Sequence, residues 1–183
     1  MNGKWFAVAI VMAGASAGCG QGRLIFNVDV YSFLTGAQHD TLSYVGPLPP
    51  GTPDTIPPQK VSLLPVGLGS SIVDSVHVGG TVAFENTNGT GNLQFSIYID
   101  TVPAVYAKPP VLTVSGAVSG AATTSSNFGI DLAAAARQYF TSTQVYVGLR
   151  AAATATVPPV QGRARLTALQ LRAVVQDKIS SIF

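Results

Sequence analysis

The stretch that decides the fold is Val76–Asp100, VHVGGTVAFENTNGTGNLQFSIYID. In its first half Val76, Val78, Val82 and Phe84 alternate with His77, Gly79, Thr81 and Glu85; in its second half Leu93, Phe95, Ile97 and Ile99 alternate with Gln94, Ser96, Tyr98 and Asp100. Successive side chains of an extended chain point to opposite faces, so a period of two marks a strand with one face in a core and one in water. Between the halves lies Asn-Thr-Asn-Gly-Thr-Gly-Asn, residues 86–92, rich in residues that tolerate positive φ. The pattern predicts a β-hairpin with an apolar inner face and a turn at 86–92.

The same reading extends outward. Leu24, Phe26, Val28 and Val30 share one face of a strand expected to run to Leu34, and 36–40 reads as a turn. Pro47, Pro49, Pro50, Pro53, Pro57 and Pro58 crowd a stretch expected to cross the surface as a stiff connection between sheets, because proline removes ladder donors. Val111–Val118 reads as a short strand, followed by a small-residue loop through Ser126. Asp131 is placed to cap a short helix over Leu132–Phe140, with Leu132, Ala135, Ala136 and Tyr139 on one face. Val145, Val147 and Leu149 then point inward from a strand over 143–157; Pro158, Pro159 and Gly162 make a turn; Leu169, Leu171, Ala173 and Val175 line the last strand, Arg163–Gln176. The expected fold is all-β: a two-sheet antiparallel β-sandwich, in jelly-roll or immunoglobulin-like order, with one short α-helix. The sandwich is assigned to residues 24–183.

Composition supports one packed domain. Nearly half of the 183 residues (47%) are hydrophobic and 10% are charged, which is the opposite of a solvated disordered chain. A formal net charge of +2 gives no footprint for nucleic acid, and Arg163, Arg165 and Arg172 read as a solvated strand face. The single cysteine excludes an intramolecular disulfide.

That cysteine stands at a telling place. Lys4 precedes an apolar run, Trp5–Ala15, which is followed by Ser16, Ala17, Gly18 and Cys19. A basic start, a short apolar stretch and a small-residue exit form the pattern of a secretory signal peptide. Eleven helical residues span about 16 Å, too short for a hydrocarbon core of about 30 Å. Ala15-Ser16-Ala17-Gly18-Cys19 resembles the lipobox of bacterial lipoproteins, matching at Ala17, Gly18 and Cys19 and departing at Ser16, where a leucine is usual. The resemblance covers the first nineteen residues only. It implies cleavage before Cys19, lipidation of its sulfur, and a membrane anchor of several acyl chains, firmer than the marginal hold of one chain. It divides the chain into a signal peptide (1–18), a lipidated N-terminus with a short tether (19–23) and the sandwich. By the same resemblance, Gly20, which is not an aspartate, implies an outer-membrane destination. Cleavage after Ala17 at an A-x-A site is the competing expectation.

No catalytic constellation emerges. His39 and His77 are far apart in sequence and neither belongs to an H-x-x-x-H pair, so no metal or other cofactor is expected. Glu85, Asn86 and Asn88 are the best local oxygen group for calcium, and plain turn chemistry competes with it. Asp29 and Asp100 are both expected to face outward, but no signature marks them as an acid–base pair. No G-x-S-x-G or G-x-G-x-x-G is present, and an enzyme is not expected. For ligand stacking the sole tryptophan lies in the signal segment, which leaves Tyr31, Tyr98, Tyr106 and Tyr146; Tyr98 and Tyr106 are the candidate contacts. Low-charge sheet faces suit packing against another protein, since few ions are desolvated. The expected role is that of a membrane-anchored structural or interaction lipoprotein of the cell envelope, such as an accessory subunit of a larger assembly. A carbohydrate- or small-ligand-binding module is the alternative.

Overall fold

The structure, a computed structural model, describes residues 23–36, 38–46, 54–62, 72–132, 137–142 and 144–176. It is an all-β, antiparallel two-layer sandwich with one short α-helix. In chain order come β1 (Arg23–Asp29), α1 (Val30–Gly36), β2 (Thr41–Gly46), β3 (Asp54–Thr55), β4 (Gln59–Ser62), β5 (Ile72–Asp100), β6 (Leu112–Ser119), β7 (Ala122–Asp131) and β8 (Gln144–Gln176).

The alternation read from Val76–Asp100 is correct, but the hairpin is not. Phe84, Phe95, Val82 and Ile97 are all sealed from solvent. Yet the two halves do not pair with each other. They form one 29-residue strand that runs antiparallel to the 33-residue β8, from Ile72 opposite Gln176 to Asp100 opposite Tyr146. Residues 86–92 are a bend that carries β5 from one layer into the other, with register shifts between Asn86 and Gly91. A hairpin turn and a sandwich corner call for the same Asn- and Gly-rich chemistry, so local sequence does not separate them.

The register fixes the topology. One layer holds β1 and β2 end to end on an edge, then the second half of β8, the first half of β5, and β7. The other holds β3 and β4 on an edge, then the first half of β8, the second half of β5, and β6. With β1 and β2 counted as one edge segment, β3 and β4 as another, and the halves of β5 and β8 counted separately, the segments fall in the order 1-8-3-6 and 2-7-4-5, which is a jelly roll rather than an immunoglobulin-like sandwich. The layers face each other around one core: a Cβ added to Gly116 of β6 would come within 2.6 Å of the Phe84 ring from the opposite layer.

Further expectations change. The first strand stops at Asp29, and Val30 and Leu34, both buried, lie four apart on α1, a spacing that serves a helix as well as the end of a strand. The small-residue stretch assigned to a loop contains β7, held by pairing with β5 from His77–Asp131 to Asn86–Ala122. Asp131 is therefore the last residue of a strand; the helix expected over 132–140 falls mainly on residues 133–136, which lie outside the described residues, after which Arg137 is helical and Gln138–Thr141 form a 3-10 turn. At Pro158, Pro159 and Gly162, β8 bends between layers without breaking. A one-residue step between Thr81–Ala168 and Val82–Leu166 shifts the parity of β8, so Leu166 and Leu169 both point inward.

Candidate functional site

The corner where the chain changes layers is held by a buried side-chain amide. Asn86 is 5% exposed. Its amide nitrogen donates to the carbonyls of Gly120 (2.7 Å) and Gly89 (3.1 Å), and its amide oxygen accepts from the Tyr44 hydroxyl (3.1 Å). The Gly120 N–H donates in turn to the Gly89 carbonyl at 2.8 Å. One side chain thus ties together the bend of β5, the β6–β7 turn and the edge strand β2. Burial, with Glu85 adding to it, pushes the Tyr44 phenol up to about 12, so it remains a donor at physiological pH. Gly89 has a φ of +73°, and a Cβ there would meet the Pro159 carbonyl oxygen at 2.1 Å, so only glycine fits. The oxygen group considered for calcium is thereby dispersed, because the Asn86 side chain is committed to neutral partners.

Beside this corner lies an open groove of about 440 Å³, lined by Thr90, Asn92, Ser119, Thr124 and Thr156 among others. It offers hydroxyls and an amide but no titratable group, so it has nothing with which to move a proton.

The tyrosines do not form a stacking platform. Tyr98 is 5% exposed rather than outward and free. A 3-10 turn, Val105–Ala107, folds back over the outer face of the second layer and lays Tyr106 on Gly148, where a Cβ would meet the Tyr106 ring at 2.9 Å. The Tyr98 and Tyr106 rings meet edge to face at 5.0 Å. The Tyr106 hydroxyl lies 2.6 Å from the Ile56 carbonyl oxygen and 2.9 Å from that of Leu149, so one proton serves two acceptors. Burial pushes this phenol up to about 12. Both candidate rings are thus engaged in closing the domain. Tyr31 packs against the core and Tyr146 is half-buried. The signal that could have been read is Gly148, a glycine inside a strand, which often marks close approach by another chain segment.

Asp100 belongs to the same closure and is buried at 1% exposure, in contrast to the outward position expected. Its carboxylate accepts from the Thr101 N–H at 2.7 Å and lies 2.6 Å from the Lys108 ammonium, which also sits 5.1 Å from the centre of the Tyr139 ring. Burial raises the Asp100 pKa, but Lys108 and Thr101 more than offset it and leave the carboxyl below its usual value. A depressed folded-state pKa gives stability that is present above the unfolded value of 3.8 and lost as pH falls through the lower folded value. The stability advantage of the native chain over Asp100→Asn, measured by urea unfolding, is therefore expected to be full at pH 7 and to shrink below pH 3.8. An advantage unchanged at pH 2 would contradict this. Asp29 lies in the other layer, so the two carboxylates are not brought together.

His77 and Asp131 face each other across β5 and β7, Nδ1 to Oδ1 at 2.9 Å. A histidine oriented by a carboxylate is half of a nucleophile-activating unit. Among the described residues no hydroxyl or thiol bonds the other ring nitrogen, and the imidazole lies across the glycine pair Gly79 and Gly129. Among the described residues no group of three or more His, Cys, Asp or Glu could hold a metal ion. Arg163, Arg165 and Arg172 are exposed on β8, and Arg165 pairs with Asp40 at 3.6 Å.

The broadest feature is a face of unusual neutrality. On the outside of the second layer three rows cross β6, β5 and β8: Thr113, Ser96 and Arg150; Ser115, Gln94 and Ala152; Ala117, Asn92 and Thr154. Arg150 is the single charge among them. The hydroxyls of Ser96 and Thr113 satisfy each other at 3.1 Å.

Cys19 and the whole export segment lie outside the described residues. Among the described residues no helix is long and apolar enough to cross a membrane. No family model and no curated protein matches the chain. Among solved structures it is similar to a chain of the infectious bursal disease virus Gx strain structure, at 12% identity and a TM-score of 0.43, covering 96% of this chain and 38% of that one. It is similar also to a chain of the Gt strain structure (11% identity, TM-score 0.44, covering 97% and 46%) and to one of the T13 IBDV viral particle (11%, 0.39, 84% and 38%). The chain spans less than half the length of each of these.

Proposed function

We propose that this chain is an exported lipoprotein, held to a bacterial membrane through acyl chains on Cys19, whose jelly roll works by surface contact as a structural or accessory subunit of the cell envelope. The observation that carries the reading is the position of the sole cysteine, directly behind an apolar run and a small-residue exit. β1 opens at Arg23, four residues after Cys19, which supports a domain held close to its membrane. The neutral rows on the second layer support the contact role, because covering them desolvates few ions. The sugar-binding alternative loses its platform, since Tyr98 lies under Tyr106.

The test is the intact mass of the mature N-terminus, together with density-gradient fractionation of the membranes. A diacylated or triacylated Cys19 is expected, in the outer-membrane fraction, with release from membranes on Cys19→Ser. An unmodified chain beginning at Gly18, or membrane fractionation unaltered by Cys19→Ser, would overturn the anchor.

A further inference from the structure

We propose that the free edge of β7 is a self-association edge, through which two copies of this chain pair antiparallel and continue the layer across a two-fold axis. The inference does not rest on the lipid anchor.

The argument begins with which backbone groups of β7 are used. The Leu132 N–H donates to the Val76 carbonyl at 2.8 Å, one step beyond the β5–β7 ladder in the same register. In an antiparallel pair, alternate residues turn their N–H and C=O to the same neighbour. The even-numbered residues of β7 therefore bond to β5, and the groups of Thr123, Ser125, Asn127, Gly129 and Asp131 point away from it. Side chains agree: Thr81 with Asn127 at 2.8 Å and His77 with Asp131 at 2.9 Å touch across the non-hydrogen-bonded pairs, where side chains come closest. Among the described residues β7 pairs with β5 alone.

A row of free donors and acceptors is a template for another strand, and proteins normally guard such rows with short strands, lysine, proline or interruptions. The opposite edges are guarded in these ways. β1 and β2 are separated by α1, and β1 carries Arg23 and Asp29. β3 and β4 have two and four residues, with Asp54, Lys60, Pro57 and Pro58. β7 is ten residues long, and β6 and β7 together hold one charged side chain, Asp131, and no proline.

A second copy fits this flank better than an unrelated strand. Among the described residues β6 pairs with β5 alone and is open on the same flank: the Gly120 N–H reaches β5, which leaves the groups of Thr113, Ser115, Ala117 and Ser119 turned away. A partner must offer two stacked open edges, and a two-fold normal to the layers supplies an identical flank. Centred on Asn127, antiparallel pairing sets Thr123 opposite the copy's Asp131 and Ser125 opposite its Gly129, so all five outward residues are satisfied. Ile130, 36% exposed, then meets the copy's Thr124, and the half-buried Phe128 meets its Ser126. The two Asp131 carboxylates stand at opposite ends, each beside its own His77, so no like charges meet.

The full chain in sedimentation velocity is expected to double in mass with rising concentration. Hydrogen exchange on the same samples is expected to slow by at least about tenfold at residues 123, 125, 127 and 129 in the dimer, with the even-numbered amides protected throughout. Ser125→Pro removes only an outward N–H and is expected to restore the monomer, with the thermal midpoint that the native chain shows at concentrations where it is monomeric. If that variant fails to fold, exchange on the unaltered chain decides. A monomer at every concentration, or a dimer whose odd-numbered amides exchange as fast as in the monomer, overturns the proposal.

Discussion

Asn86→Ala is expected to lower the unfolding free energy by roughly 2–4 kcal/mol, with an unchanged urea m-value. The alanine removes both donors from the Gly89 and Gly120 carbonyls and the acceptor from the Tyr44 hydroxyl. The Tyr44 hydroxyl is buried, whereas the Gly89 carbonyl keeps the Gly120 N–H and Gly120 is exposed; each buried group left unpaired costs about 1–3 kcal/mol unless water reaches it. Asn86→Asp is no rescue, because a carboxylate cannot donate to the two carbonyls and would add a buried charge. Tyr44→Phe removes one bond of the three and is expected to cost about 1 kcal/mol. A loss under about 0.5 kcal/mol in Asn86→Ala would show that the corner is held by its backbone pairing instead.

The largest effect is expected at Phe84. Its ring is fully buried and lies against Gly116 of the facing layer, the closest steric link between layers that the glycines reveal. Phe84→Ala removes that ring from the centre of the core and is expected to cost about 3–5 kcal/mol, the range for a buried phenylalanine whose cavity closes incompletely. Gly116→Ala probes the same contact from the other side. Its Cβ would stand 2.6 Å from the Phe84 ring, so it is expected to destabilise by overpacking, by about 1–3 kcal/mol. In the double variant part of both losses is expected to be recovered, since alanine at 116 fills space vacated by the ring. Strict additivity in the double-mutant cycle would mean that the two residues do not share one space.

The candidate site was less legible than the fold, for reasons that particular residues show. Tyr98 alternates with Ile97 and Ile99 and so belongs on an outer face, where the structure indeed places it. Alternation cannot say what lies over that face, and the turn that brings Tyr106 onto Gly148 is set by a contact more than forty residues apart in sequence. Asp100 is misjudged in the same way, because Lys108 approaches from the following connection. Asn86 reads as a turn former and is one, but its three bonds reach residues 44, 89 and 120. Its importance lies in partners that only folding assembles.

What the chain by itself determined is the inward set: Val76, Val78, Val82, Phe84, Leu93, Phe95, Ile97, Val145, Val147, Leu149, Leu169, Leu171, Ala173 and Val175, all buried as their period of two requires. A strand's pleat is local, so each residue's neighbours suffice to choose its face. What only the tertiary structure decided is which strands pair. Val76–Asp100 has the pattern of a hairpin, yet each half forms its ladder with β8 and none with the other half. Strand partners are chosen by the whole ladder and the shared core, so a bend of seven residues can turn back on itself or lead into a second layer with the same amino acids. That choice made the fold a jelly roll, and among the described residues it left β6 and β7 each paired with β5 alone.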